Sequence, residues 1–190
     1  MTTESTPISV AAVGVRPGEY EGILEEVPQD DRFKMVAFSD EGLEPRKLPS
    51  YPFTWYPDYN KLLHQEEIEL VLVDGPLDLR CDFAVRAANA GKQVVVARPF
   101  ADTTADAYRM AKTARRNETL ITGDMPERSD MLYRKVRQAV SDGVPGEIFA
   151  IEHRLYSPTE LADLPEEGLL MEYGVDLLDQ VLVLLDSEVK

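Results

Sequence analysis

Ala88-Asn-Ala-Gly-Lys-Gln-Val-Val-Val-Ala-Arg-Pro99 packs a helix end, a strand and a strand stop into one short stretch. Gly91 sits where a helix C-terminus wants a residue free to adopt positive φ. The valine-rich run at 93–96 suits a strand, and Pro99 stops it. Reading outward, the same alternation continues. Upstream, residues 79–90 space Phe83, Ala84, Ala87 and Ala88 along one helix face. Before them, the apolar run 69–73 ends at the turn signal Asp74-Gly75-Pro76. Downstream, Thr103 caps a helix over 103–116, and a short strand follows at 120–122.

Further out, 8–13 and 33–38 are apolar runs with strand character. Residues 18–27 have helical spacing through Tyr20, Ile23, Leu24 and Val27. Residues 41–55 are a loop with one short strand, and 58–63 a short helix. Strands alternating with helices predict βαβ units. The fold class is α/β, a doubly wound parallel sheet of the nucleotide-binding type. This domain is expected over 1–123. The remainder, 124–190, has a helix at 128–141 closed by Asp142-Gly143, an alternating strand at 147–153 and a very apolar helix at 169–185. It is expected to be a helix–strand–helix element of a second domain.

Composition narrows the function classes. Asp plus Glu number 35 against 20 Lys plus Arg, a formal charge of −15. Such a field repels nucleic acid and anionic membranes, so neither is an expected partner. It does not exclude a dinucleotide, whose phosphates backbone N–H groups can hold locally. No apolar run reaches the roughly 20 residues of a membrane span. The N-terminus lacks the pattern of a secretory signal. The single cysteine, Cys81, fits a reducing cytoplasm, which is the expected location. No Cys/His grouping has metal-ligand spacing.

In an open parallel sheet, ligands bind beyond the carboxyl ends of the strands. Those ends place Gly14, Val15 and Arg16, then Asp40, then Asp74 and Pro76, then Arg98 at a candidate cofactor rim. The first turn, Val13-Gly14-Val15-Arg16-Pro17-Gly18-Glu19, breaks the G-x-G-x-x-G fingerprint, with Arg16 at the second glycine position. Arg16 either obstructs close approach of a pyrophosphate or offers it a guanidinium; a plain turn is the third reading. Asp40 stands where a carboxylate accepts from an adenosine ribose, although Asp after a strand is also an ordinary turn former. Tyr51, Phe53, Trp55, Tyr56 and Tyr59 form an aromatic cluster in the loop region, expected to cover the sheet edge. His64 and His153 are expected to be structural.

The stretch at 88–99 resembles A-G-K-H-V-x-x-E-K-P of the Gfo/Idh/MocA oxidoreductases, the glucose–fructose oxidoreductase and inositol dehydrogenase kind. Asp74-Gly-Pro-Leu-Asp-Leu-Arg80 resembles that family's T-P-N-x-x-H turn. Residues 142–152 resemble S-G-x-x-G-E-I-x-x-V-x, and Glu172-Tyr-Gly-Val-Asp176-Leu-Leu-Asp179 resembles D-x-G-x-H-x-x-D. The resemblance implies a Rossmann-like NAD(P)-binding domain and a second domain for a sugar or polyol. It also implies a lysine and a histidine near the reacting hydroxyl. Here Arg98 stands in the lysine position, Arg80 in that of the turn histidine and Asp176 in that of the helix histidine. Pro76, Gly91, Pro99, Gly174 and Asp179 are kept.

The retained residues shape backbone and packing, whereas the replaced ones carry proton chemistry. Arginine stays protonated and cannot act as a base. A carboxylate such as Asp176 needs a raised pKa to serve as one. The expectation is an NAD(P)-binding-fold protein, catalytically degenerate, with a binding, regulatory or assembly role. The alternative is an active NAD(P)-dependent oxidoreductase using Arg98 and Asp176, its site completed by oligomerisation. A second copy or a partner protein is expected to contact 147–190.

Overall fold

Short β-branched strands flanked by helices can hide both faces only within a covered parallel sheet, and the chain builds one. The structure, a computed structural model, describes residues 6–15, 27, 30–41, 52–154 and 174–185. The strands are β1 (Ile8–Val13), β2 (Phe33–Ser39), β3 (Thr54–Trp55), β4 (Leu70–Val73), β5 (Gln93–Val96) and β6 (Ile121–Gly123). They form one six-stranded sheet in the order β3-β2-β1-β4-β5-β6, and every pairing is parallel. This is the doubly wound order, with its switch between β1 and β4.

The described helices are α1 (Tyr59–Leu63), α2 (Leu77–Asn89), α3 (Thr104–Asn117), α4 (Met131–Ser141) and α5 (Val175–Leu185). Their ends follow from capping chemistry. The Asp58 side chain accepts from the Asn60 N–H, and the Thr103 hydroxyl from the Asp106 N–H. Gly91 takes φ +76° just beyond α2, and Gly143 takes φ +73° beyond α4.

Alternate residues of β1 enter different cores, because strand side chains alternate faces. Ala11 and Val13 join Val71, Val73, Val94 and Val96 against Tyr59, Leu62, Phe83, Ala84 and Met110. Val10 and Ala12 join Val15, Met35 and Phe38. In β2, Met35 and Phe38 reach the same core although an odd number of positions separates them. The register explains it: Val10 pairs Met35 while Ala11 pairs Ala37, so Val36 is a bulge that inverts the alternation. Cys81 is buried in the first of these cores, where burial pushes its thiol up to about 11.

The chain divides into two compact units, Met1–Asp124 and Met125–Lys190. In the second, a 3-10 turn at Pro126–Ser129 precedes α4. Arg128 grips the Asp179 carboxylate with two N–H groups, at 2.8 and 2.5 Å, and the Tyr133 hydroxyl donates to the Gln180 carbonyl at 2.6 Å. These contacts pin α5 to the segment that opens the unit, and they give the retained Asp179 a structural task.

Three expectations need correction. Residues 147–153 form no strand; Phe149 is 98 % exposed. The polar–apolar alternation there meets no partner edge among the described residues, and a strand exists only as part of a ladder. Tyr59 does not belong to a surface aromatic group. It is fully buried, sits edge-on to Phe83 and donates its hydroxyl to the Phe83 carbonyl at 3.2 Å. Trp55 lies in the edge strand β3, not in a loop. The helix expected at 18–27, Tyr51 and the start of the helix expected at 169–185 lie outside the described residues. Among the described residues no helix is long and apolar enough to cross a membrane.

Candidate functional site

The carboxyl ends of the strands are set by ladder bonds that run past the strands into the turns. Gly14 N–H donates to the Ser39 carbonyl at 2.9 Å, Asp74 N–H to Val13 at 3.0 Å and Ala97 N–H to Val73 at 2.8 Å. Four turns therefore line up along one sheet edge: Gly14–Val15, Asp40–Glu41, Asp74–Pro76 and Ala97–Pro99. This edge holds Gly14, Val15, Asp40, Asp74, Pro76 and Arg98. Arg16 lies outside the described residues. Asp176 sits in the first turn of α5, in the second unit, where a carboxylate suits the helix N-terminus.

The residues on the rim have different tasks. Gly14 takes φ +74°, and a Cβ there would come within 2.5 Å of the Gly75 Cα. Two glycines thus let the β1 and β4 turns touch backbone to backbone across the switch point. The Val15 side chain is wholly buried among Val10, Ala12 and Phe38, so only its backbone is available to the rim. Pro76 caps α2, and its carbonyl accepts from the Leu79 N–H at 2.9 Å.

Arg80 is the residue that composition and spacing did not single out as a clamp. It is only 8 % exposed. Its Nε donates to the Gly75 carbonyl at 2.7 Å, and its Nη1 to the carbonyls of Pro99 at 2.9 Å and Ala97 at 3.4 Å. Nη2 stands 3.9 Å from the Asp74 carboxylate. One guanidinium thus ties the turn after β4 to the turn after β5 and clamps Arg98 on both sides. A fixed planar fork of donors suits several carbonyls at once, as an ammonium would not. The signal was available: Arg80 falls on the buried stripe of α2 with Phe83, Ala84 and Ala87, at helical spacing.

At the end of β2, two adjacent carboxylates part company. Glu41 turns toward the helices: Oε2 accepts from the Tyr59 N–H at 2.7 Å and Oε1 from Arg86 at 2.5 Å. Arg86 in turn lies 4.8 Å above the Tyr59 ring. Asp40 turns toward the sheet edge, where its Oδ1 accepts from the Trp55 indole N–H at 2.7 Å. Neither the Glu41 nor the Trp55 partnership is legible from spacing alone.

The Arg86 hydrogen bond is the main reason the Glu41 carboxyl titrates below its ordinary value of 4.5. A lowered folded-state pKa contributes stability in full above that ordinary value. The contribution fades as pH falls through the folded value. Glu41→Gln should therefore cost about 1–2 kcal/mol at neutral pH, and the gap to the parent should narrow as the pH is taken progressively below 4.5. Urea midpoints measured from neutral pH downward check this.

Among the described residues no cluster of His, Cys, Asp and Glu could hold a metal. The site's fit is to a dinucleotide instead. The strand order changes direction at the point where two glycines keep the rim free of side chains, and a carboxylate stands at the end of β2.

Comparison with known proteins agrees with this geometry. The model of the Gfo/Idh/MocA oxidoreductase family, described as an NAD-binding Rossmann fold, matches residues 8–124. An uncharacterized oxidoreductase of Escherichia coli (strain K12), YhhX, is 30 % identical over 131 residues, 67 % of this chain and 38 % of its own length. Inositol 2-dehydrogenase of Salmonella typhimurium is 24 % identical over 136 residues, 71 % of this chain and 40 % of its own. In three dimensions, an NAD-binding protein from Listeria innocua superposes with a TM-score of 0.76 at 24 % identity, over 96 % of this chain and 56 % of that one. The chain spans about two fifths of the length of the curated relatives it matches.

Proposed function

The chain belongs to the Gfo/Idh/MocA oxidoreductase family, and from that membership we propose that it binds NAD(H) or NADP(H) without carrying out proton transfer at the reacting end. The observation that carries this reading is the fate of the two arginines. Arg80 spends its donors on the Gly75, Ala97 and Pro99 carbonyls. Arg98, in the position the resemblance gives to a lysine, stays protonated at any working pH and takes no proton from a hydroxyl.

Asp40 would accept from the adenosine ribose, and the backbone at Gly14 and Val15 would face the pyrophosphate. The Asp74–Pro76 and Ala97–Pro99 turns would border the nicotinamide, with Arg98 as a hydrogen-bond donor. When bound, the cofactor supplies hydride chemistry. The chain's own residues supply binding and orientation only. Phe149, Ile151 and Leu178, exposed at 98 %, 38 % and 59 %, support contact of the 147–190 segment with a second copy or a partner protein.

Titration calorimetry with NADH and NADPH, run beside an absorbance assay at 340 nm with inositol and simple sugars, tests the proposal. The expected result is saturable cofactor binding with no substrate-dependent absorbance change. Turnover that disappears in Asp176→Asn would establish an active oxidoreductase instead. Failure to bind either cofactor would remove the reading altogether. A monomeric mass in solution would count against self-association.

A further inference from the structure

The Trp55 indole and the Asp40 carboxylate meet at the open edge of the sheet, where the adenosine half of a dinucleotide lies in this strand order. We propose that Trp55 is the positioning residue of the ribose subsite: its N–H holds the Asp40 carboxylate so that the site takes an unphosphorylated ribose, and NAD(H) over NADP(H). This rests on the dinucleotide reading above.

The geometry is specific. Phe38 pairs with Trp55 in the β2–β3 ladder, and the Tyr56 N–H donates to the Phe38 carbonyl at 2.8 Å. The backbone of Trp55 is thereby fixed beside the end of β2. The residue is 45 % exposed, so the core does not require it there. Its N–H nonetheless reaches Oδ1 of Asp40 at 2.7 Å. That bond takes one carboxylate oxygen and leaves the other to accept from a vicinal ribose hydroxyl.

Charge gives the arrangement its selectivity. Glu41, one residue on, is neutralised by Arg86 at 2.5 Å. Among the described residues Asp40 receives a neutral indole N–H and no cation, so its negative charge is left to face the ribose. A 2′-phosphate would be brought against that charge. Coulomb repulsion at partly exposed contact distance disfavours it by roughly ten- to a hundredfold in affinity. Arg46 and Lys47 follow in sequence outside the described residues, which makes the NADPH titration the decisive arm.

The experiment compares NADH and NADPH dissociation constants for the parent chain, Trp55→Phe, Asp40→Ala and the double variant, with thermal midpoints recorded throughout. Trp55→Phe keeps an aromatic ring and deletes the donor. The parent should favour NADH by about tenfold or more. Trp55→Phe should weaken NADH about fivefold and NADPH less than about twofold. The double variant should bind as Asp40→Ala alone does, because Trp55 acts through Asp40. Trp55 is the sole tryptophan, so ADP-ribose, which lacks the nicotinamide chromophore, should alter the parent's tryptophan emission. Equal losses for both cofactors, additive single effects, an unchanged Trp55→Phe or a parent that prefers NADPH would overturn the proposal while the dinucleotide reading stands. A parent that binds neither cofactor overturns both.

Discussion

Arg80→Ala lowers the thermal midpoint of the first unit by about 10 °C, the effect of roughly 3 kcal/mol. The loss is large because the guanidinium is buried and its donors serve carbonyls on two turns. Truncation leaves the Gly75 and Pro99 carbonyls desolvated and without their donor, and it opens a void beside the charged Asp74. Arg80→Lys should recover part of the loss, since one ammonium can reach one turn but not both. Differential scanning calorimetry checks the order Arg, Lys, Ala. A drop under about 1 kcal/mol, the ordinary surface value, would show that the two turns hold themselves in place.

Gly14→Ala has a comparable cost, about 3 kcal/mol, made of two parts that other glycines separate. One part is conformational. Gly14 and Gly91 have nearly the same positive φ, +74° and +76°, but a Cβ on Gly91 would meet open space. Gly91→Ala should therefore show the backbone penalty alone, about 1 kcal/mol. The second part is steric: the new methyl at Gly14 would press on Gly75 backbone atoms at 2.5 and 2.8 Å, and backbone cannot swing aside as a side chain does. Gly75→Ala, whose Cβ would stand 3.2 Å from the Gly14 Cα and from the Phe83 ring, should fall between the two. Urea denaturation of the three variants gives the ranking. Equal losses at Gly14 and Gly91 would mean that the β1 and β4 turns part without cost.

The strands at 8–13 and 93–96 were legible because burial on both faces leaves a mostly apolar run, and their shortness, β-branched content and flanking turn residues set them apart from a buried helix. The alternation at 147–153 misled for a physical reason. Period two tells which side chains would share a face, but not whether an edge is there to receive the strand. The aromatic density at 51–59 concealed opposite fates, with Tyr59 in the core and Trp55 half in solvent. Arg80 looked like a lost histidine because spacing reports the kind of residue present, not the carbonyls that surround it. Asp40 was placed at the rim by its distance from Gly14. That its neighbour of the same charge faces the helices depended on Arg86, 45 positions further along the chain.

The supernumerary Val36 in β2 works as a half-period phase shift. Every side chain after it is carried to the side opposite the one that simple counting from Phe33 would assign. Deleting that one residue would restore plain alternation without turning the strand, because Ala37, Phe38 and Ser39 would keep Ala11, Ala12 and Val13 as partners and so keep their faces. Which of the two carboxylates meets the indole is thus governed by the ladder with β1, and a single-residue gap at this point would leave the structural anion and the recognition anion where they are.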